Sequence, residues 1–315
     1  MSSPIIASPA LSDSIVLVGG VTAGSMPLSY LQTDQPSDRT RFTDLSVLYA
    51  PGGGSAVASS GAYVVLDFGT PVALHLHYFG MTNASTFAAI RKRGGNNPDP
   101  TISPVYDTVI GLGTGSAHDI PLAPVDGLKA VGISKIPHID FSSAGFGGSS
   151  FRYWRFDFID PDNPDGYLDI GRMILASFSS INGAPPSCYQ FPRGVSASNS
   201  SIGFNEPTVR LETAGRQTYS AVRTPLDQQK FSIAAVKESD LLGSLRAIRA
   251  TRGNSRGVLW IENPADPAVI AQKTVYGLMT INDSPHLGLM AVGGVVVFAP
   301  YTQVYTVDGS IVAMN

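Results

Sequence analysis

His75 and His77 stand two residues apart in a run that reads as a strand, which points both imidazoles to one face at the spacing of two ligands in some zinc sites. A third ligand is required, and His118, His138 and His286 lie in segments whose proximity the chain order does not state. An H-x-H pair alone is read as two histidines on the partly solvated face of a strand. Asp160, Asp162, Asn163 and Asp165, ahead of Gly166, gather the oxygen ligands that a hard cation such as calcium takes. Their spacing departs from the alternate-position loop of an EF-hand, and Pro161 and Pro164 with the Asx side chains make a rigid turn without an ion. No metal is expected.

Three glycine-rich stretches, 52–54, 111–115 and 145–148, have neither the strand-to-helix setting of a dinucleotide fingerprint nor the Lys then Ser or Thr of a phosphate loop. They read as loops between strands. The triplet Asp67, Phe68, Gly69 matches a kinase motif whose companion elements are missing, and so reads as a strand ending in a turn. There is no G-x-S-x-G nucleophile elbow, and Cys188 lies in a Pro-rich stretch with no base in view, which makes it a buried or indifferent thiol. Paired acids for glycoside hydrolysis cannot be picked out of 24 carboxylates by position alone. The expectation is a protein that is not an enzyme and holds no cofactor.

The composition narrows the partners. Charged residues make up 14% of the 315, while glycine (33) and proline (23) are plentiful, a balance that suits turns and strands. A formal net charge of -3, with no face of Lys and Arg visible in the sequence, argues against nucleic acid as a partner. One cysteine excludes an internal disulfide and a cysteine-based zinc site. The first 16 residues lack the basic flank and apolar run of a signal peptide, and no window approaches the ~18 apolar residues of a membrane span, so synthesis in a cytoplasm without membrane insertion is expected. Low charge leaves much uncharged surface, which is tolerable where neighbouring subunits cover it.

The elements that would carry these residues are short β-rich runs cut by Gly, Pro, Asn and Asp: 14–18, 46–49, 63–68, 73–79, 88–91, 128–133, 151–159 and 167–175. In the run from Phe151 to Ile159 the alternation is imperfect, with Trp154, Phe156 and Phe158 on the core face. Between 181 and 206 the chain turns Gly, Pro, Ser and Asn rich, the best boundary between two domains, 1–180 and 207–315. Strands are expected after it at 208–212, 231–236, 257–261, 274–281, 288–290, 295–298 and 303–306. The one expected helix is 239–252, with Ser239 as its cap, Leu241, Leu242, Leu245 and Ile248 on one side, and Gly253 and Asn254 as its stop. Arg246, Arg249 and Arg252 crowd its negative end.

The segment FRYWRFDFIDPDNPDGYLDIGRMIL, Phe151 to Leu175, resembles the final strand pair of discoidin-like, galactose-binding-type jelly-roll domains of tail proteins from long-tailed bacteriophages. In that family an aromatic, arginine-bearing strand leads into a D-P-x-N-P-D-G turn and a strand ending in I-G-R. Residues 30–33, 63–69 and 76–85 are similar to upstream strands and turns of the same domain. The second half resembles the hub or belt module of distal tail proteins, a split β-barrel carrying a helix, through 229–236, the helix at 239–252, VLWIENPADP at 258–267 and VYGLM at 275–279.

The resemblance implies a mainly β chain: an N-terminal jelly-roll β-sandwich, then a C-terminal split β-barrel-like module with one α-helix. It implies a structural protein of the virion tail tip, made in the host cytoplasm, whose copies close into a trimeric or hexameric ring and contact the tail tube, the baseplate hub and the tape-measure protein. The alternative is a receptor-recognition module that binds cell-surface glycan through the jelly roll, for which Tyr30, Phe146 and Tyr189 are candidate contacts. On the residues themselves, Trp154 is expected to anchor the sandwich core, and Arg152 or Arg172 to pair with Asp157 or Asp169 across adjacent strands. Arg246, Arg249 and Arg252 are candidate interface residues, since like charges placed there would repel a neighbour.

Overall fold

The computed structural model describes residues 3–20, 22–34, 38–49, 57–84, 88–100, 106–111, 134–139, 150–181, 186–191, 201–205, 209–212, 218–221, 226–237, 257–264, 273–281, 286–287, 291–292, 295–296 and 304–313. In chain order the first strands are β1 Ile5–Ala7, β2 Val16–Gly19, β3 Thr40–Phe42, β4 Val47–Tyr49, β5 Val57–Ser60, β6 Tyr63–Val72, β7 Leu76–Thr82, β8 Ala89–Gly95 and β9 Tyr106–Gly111. There follow β10 Ser134–Ile139, β11 Phe151–Ile159, β12 Leu168–Ile170, β13 Arg172–Ala176 and β14 Cys188–Gln190. The rest are β15 Ser201–Asn205, β16 Val209–Glu212, β17 Thr218–Ala221, β18 Leu226–Lys237, β19 Val258–Ile261, β20 Thr274–Ile281, β21 His286–Leu287, β22 Ala291–Val292, β23 Val295–Val296 and β24 Val304–Ala313. A four-residue helix α1, Ala10–Asp13, and a 3-10 turn, Leu28–Gln32, complete the described elements.

The chain is mainly β, built from antiparallel sheets with no closed barrel among the described residues. Three sheets stack as layers. The outer one has the order β2-β6-β11-β8-β9, the middle one β10-β7-β13, and the third β14-β1-β19-β20-β24-β18-β15 with β21 also paired to β24. Strand alternation explains the stacking, because successive side chains point to opposite faces. From the middle layer, Phe79, Met173 and Leu175 join Val64, Leu66, Trp154 and Phe156 of the outer sheet in one core. Their neighbours of opposite parity, Leu76, Tyr78, Ile174 and Ala176, join Ile5, Ala7, Leu259, Ile261 and Tyr276 of the third sheet in another. The far face of that third sheet packs Ile6, Trp260 and Val275 against Phe231, Ile233 and Ile311. Each large apolar side chain buried this way contributes about 1.5–3 kcal/mol.

β11 occupies Phe151–Ile159, the expected run, and its imperfect alternation has a structural cause. The register against β6 shifts between Phe151 and Tyr153, a bulge that places Phe151 and Trp154 both in the core and leaves Arg152 exposed. Gly94, opposite Trp154 on β8, has no room for a side chain: a Cβ there would lie 2.5 Å from the Phe151 ring. The expected strand 167–175 is divided at Gly171, β12 pairing with β3 and β13 with β7.

Two elements do not follow the expected domain boundaries. β1, at the N-terminus, lies between β14 and β19 in the third sheet, with Ile6 opposite Tyr189 on one side and Trp260 on the other. The stretch expected to link two domains supplies β14 and β15 to that same sheet. The expected helix 239–252 and the strands expected at 128–133 and 288–290 lie outside the described residues. No described helix is long and apolar enough to cross a membrane.

Candidate functional site

Apart from Arg152, which pairs with Asp67, the polar residues singled out in Phe151–Leu175 fall into three separate clusters. Asp157, on the outer face of β11, is fully buried. Its carboxylate accepts bonds from Arg93 Nη2, from Arg155 Nη2 at 2.7 Å and from the backbone N–H of Ser60 at 3.0 Å. Arg155 also lies 3.6 Å over the Tyr63 ring. The cluster thereby ties β11 to β8, β6 and the end of β5. A carboxylate this enclosed stays tolerable because it is bonded to guanidinium groups and an amide.

Arg172 makes the second cluster, at the seam between the middle and third layers. It is completely buried, with Nη2 2.9 Å from Asp13 of α1 and 3.2 Å from Asp34. Its Nε donates to the Tyr276 hydroxyl of β20 at 3.3 Å, and Nη1 donates to the Leu31 carbonyl at 3.3 Å. Tyr276 donates onward to Asp34. Burial works against the Arg172 cation, yet Tyr276, Asp13 and Asp34 outweigh it and hold its pKa above the ordinary arginine value. Burial likewise pushes the Tyr276 phenol well above its usual range.

The third cluster is the turn after β11. Asn163 Nδ2 donates to Asp160 Oδ2 at 2.8 Å, Asn163 Oδ1 accepts from the Asp165 N–H at 3.0 Å, and Asn83 Nδ2 donates to Asp165 Oδ2 at 2.7 Å. Gly166 closes the turn at φ +69°, a conformation that glycine adopts without strain. Asp160, Asn163 and Asp165 are thus engaged by amide groups of the turn and of Asn83, and no group of three His, Cys, Asp or Glu side chains placed to hold a metal ion occurs among the described residues. Beside the turn, Arg41 grips Asp169 with two bonds of 2.7 Å and covers the Tyr167 ring at 3.7 Å.

The expected pairing of Arg152 or Arg172 with Asp157 or Asp169 is corrected in its partners. The bulge turns Arg152 outward onto Asp67, bonded at 2.8 and 2.9 Å. Arg172 faces the third layer and takes Asp13 and Asp34, Asp157 takes Arg93 and Arg155, and Asp169 takes its cross-strand neighbour Arg41. Trp154 does anchor the sandwich core: it is 2% exposed, donates Nε1–H to the Val72 carbonyl at 3.0 Å, and meets Phe151 and Tyr106 edge-on. The ammonium of Lys92, fully buried opposite Phe156, lies 4.7 Å from the Trp154 ring centre and donates to the Leu74 carbonyl.

His75 and His77 are not on a solvated face. Both are buried, His77 on β7 and His75 just before it, because β7 is the central strand of the middle layer. His77 stands edge-on to Phe156 at 5.0 Å, and His75 Nδ1 lies 3.4 Å from the Phe178 amide and from Ser177 Oγ. Of the candidate glycan contacts, Tyr30 is half-buried in the 3-10 turn and Tyr189 is half-buried against Phe191. Phe146, Arg246, Arg249 and Arg252 lie outside the described residues.

Arg93, Arg41, Asp13, Asp34 and Tyr276 escaped the reading of the sequence. A weak signal existed for Arg93 and Lys92, which with Arg91 make three consecutive cations inside a strand whose other residues are apolar or glycine. No local signal marks Asp13 or Asp34 as partners of Arg172. What these clusters can do chemically is hold strands and layers together; among the described residues none pairs a nucleophile with a base at an open surface. Comparison of the chain with protein-family models, with curated proteins and with solved structures finds no match.

Proposed function

We propose that this chain is a structural protein of the tail tip of a long-tailed bacteriophage, assembling with copies of itself into a ring between the tail tube and the baseplate or hub. The observation that carries this reading is how the polar residues of Phe151–Leu175 are spent. Arg152 binds Asp67, Asp157 binds Arg93 and Arg155, Asp169 binds Arg41, and Arg172 binds Asp13 and Asp34, so the segment that resembles the tail proteins acts as a fastening of the scaffold. The stacked β-layers and the low charge of the chain accord with a rigid subunit whose surface is shared with neighbours.

The test is the native mass of the purified full-length chain across a concentration series, followed by electron microscopy of any closed particle. A ring of fixed copy number that binds the end of isolated tail tubes is the expected result. A chain that stays monomeric and ignores tail tubes at every concentration would sink the proposal.

A further inference from the structure

The outer sheet has an edge that is unusually bare. β2 is bonded to β6 on one side and, among the described residues, has no strand on the other. Its outward-facing side chains Val16 and Val18 are 65% and 59% exposed, the largest exposures of any described large apolar residue. Soluble proteins usually blunt such an edge with lysine, proline or a bulge. Val16, Leu17, Val18 and Gly19 carry no charge or proline, and the register of β2 on β6 is unbroken.

The hydrogen-bond alternation shows which backbone groups the edge offers. Gly20 N–H donates to the Tyr63 carbonyl at 3.0 Å, which makes Gly20, Val18 and Val16 the residues bonded to β6. The N–H and C=O groups of Leu17 and Gly19 therefore point away from it. Ile15 has the same parity, but Gln32 Nε2 already donates to its carbonyl at 3.0 Å, so the open stretch starts after it.

We propose that β2 is a self-association edge, on which a second copy of this chain adds its own β2 antiparallel about a two-fold axis through Val18. In that register Leu17 of one copy faces Gly19 of the other and each such pair exchanges both backbone bonds, leaving Ile15 out. Val18 meets the second copy's Val18 as a close pair without bonds between them, at about 4.5 Å between Cα atoms. Val65, next to Val18 on β6, extends the contact into a valine ridge that continues across the axis onto the other copy. The charge pattern favours a second copy as the occupant: β2 is neutral, and the charges of β6 and β11 nearest to it on that face are bonded to one another, Asp67 to Arg152 at 2.8 Å and Arg155 to Asp157 at 2.7 Å. A partner edge must then be neutral and apolar, as this one is. The contact does not rest on the tail reading, since it needs only two copies, and it can form or fail whether or not a ring exists.

The experiment uses the full chain and its Val18→Cys and Val16→Cys variants, oxidised with diamide and separated under denaturing, non-reducing conditions. Cα atoms about 4.4–6.8 Å apart admit a disulfide, so Val18→Cys should link two copies, with about tenfold more dimer than Val16→Cys, whose cysteines lie apart in this register. The unmodified chain, with only buried Cys188, is the control. The strand edge alone is a small interface, so sedimentation should show a dimer that grows across about 1–500 µM and is lost in Val18→Lys. Unaltered thermal melts of these exposed-site variants certify folding. Equal or greater linking of Val16→Cys would overturn the register, and a dimer indifferent to Val18→Lys, or no dimer at all, would overturn the edge itself.

Discussion

Removing the guanidinium of Arg172 tests whether the seam between layers is what holds the molecule as one body. Arg172→Met keeps an unbranched apolar stem but leaves Asp13 and Asp34 without their cation, with the Tyr276 hydroxyl and the Leu31 carbonyl losing their donor. Breaking a buried ion pair from one side costs about 3–5 kcal/mol. Both carboxylates are 19% exposed, so water screens part of that cost, and a loss of about 2–4 kcal/mol is expected. That is a large share of the roughly 5–15 kcal/mol that stabilises a typical domain. The assay follows from the chain's two tryptophans, Trp154 in the sandwich core and Trp260 in the third sheet. In single-tryptophan variants, urea transitions of the parent should coincide, whereas with Arg172→Met they should shift and separate. Adding Asp34→Asn to Arg172→Met should recover part of the loss by removing one uncompensated charge. A loss below about 1 kcal/mol with coincident transitions would refute the seam as the coupling element.

Three further outcomes are expected. Ala7 is the cross-strand partner of Cys188 in a pair without bonds between them, because the bonds fall on the flanking pairs Ser8 with Ser187 and Pro4 with Phe191; Ala7→Cys should therefore form an intrachain disulfide, seen by mass and gel, that stabilises by up to about 5 kcal/mol. Hydrogen bonds from Arg152 hold the Asp67 carboxyl below the usual carboxylate range, so its contribution is present at neutral pH and lost as pH falls through that lowered value; Arg152→Gln should move the Asp67 titration upward in an NMR pH series. Burial raises the Cys188 thiol well above its usual pKa, so a thiol reagent at pH 8 should label the native chain far more slowly than the chain unfolded in urea.

What the sequence by itself determined was local and periodic. Phe151–Ile159 announces a strand with Trp154, Phe156 and Phe158 inward because alternation of large apolar residues leaves few other conformations, and Asp160–Gly166 announces a turn because proline, Asx side chains and glycine restrict the backbone over a few residues. The tertiary structure decided which strands meet. β1 reaches β14 and β19 across most of the chain, and Arg172 finds its partners in α1 and beyond, because strand pairing and layer stacking are set by the total apolar area buried and by backbone bonds satisfied far along the chain. The bulge at Arg152 shows the two levels at one residue: its charge is legible as a strand-borne cation, but a three-residue shift of register against β6, from Phe151 opposite Val72 to Tyr153 opposite Asp67, decides that it faces Asp67 in solvent while Phe151 turns inward.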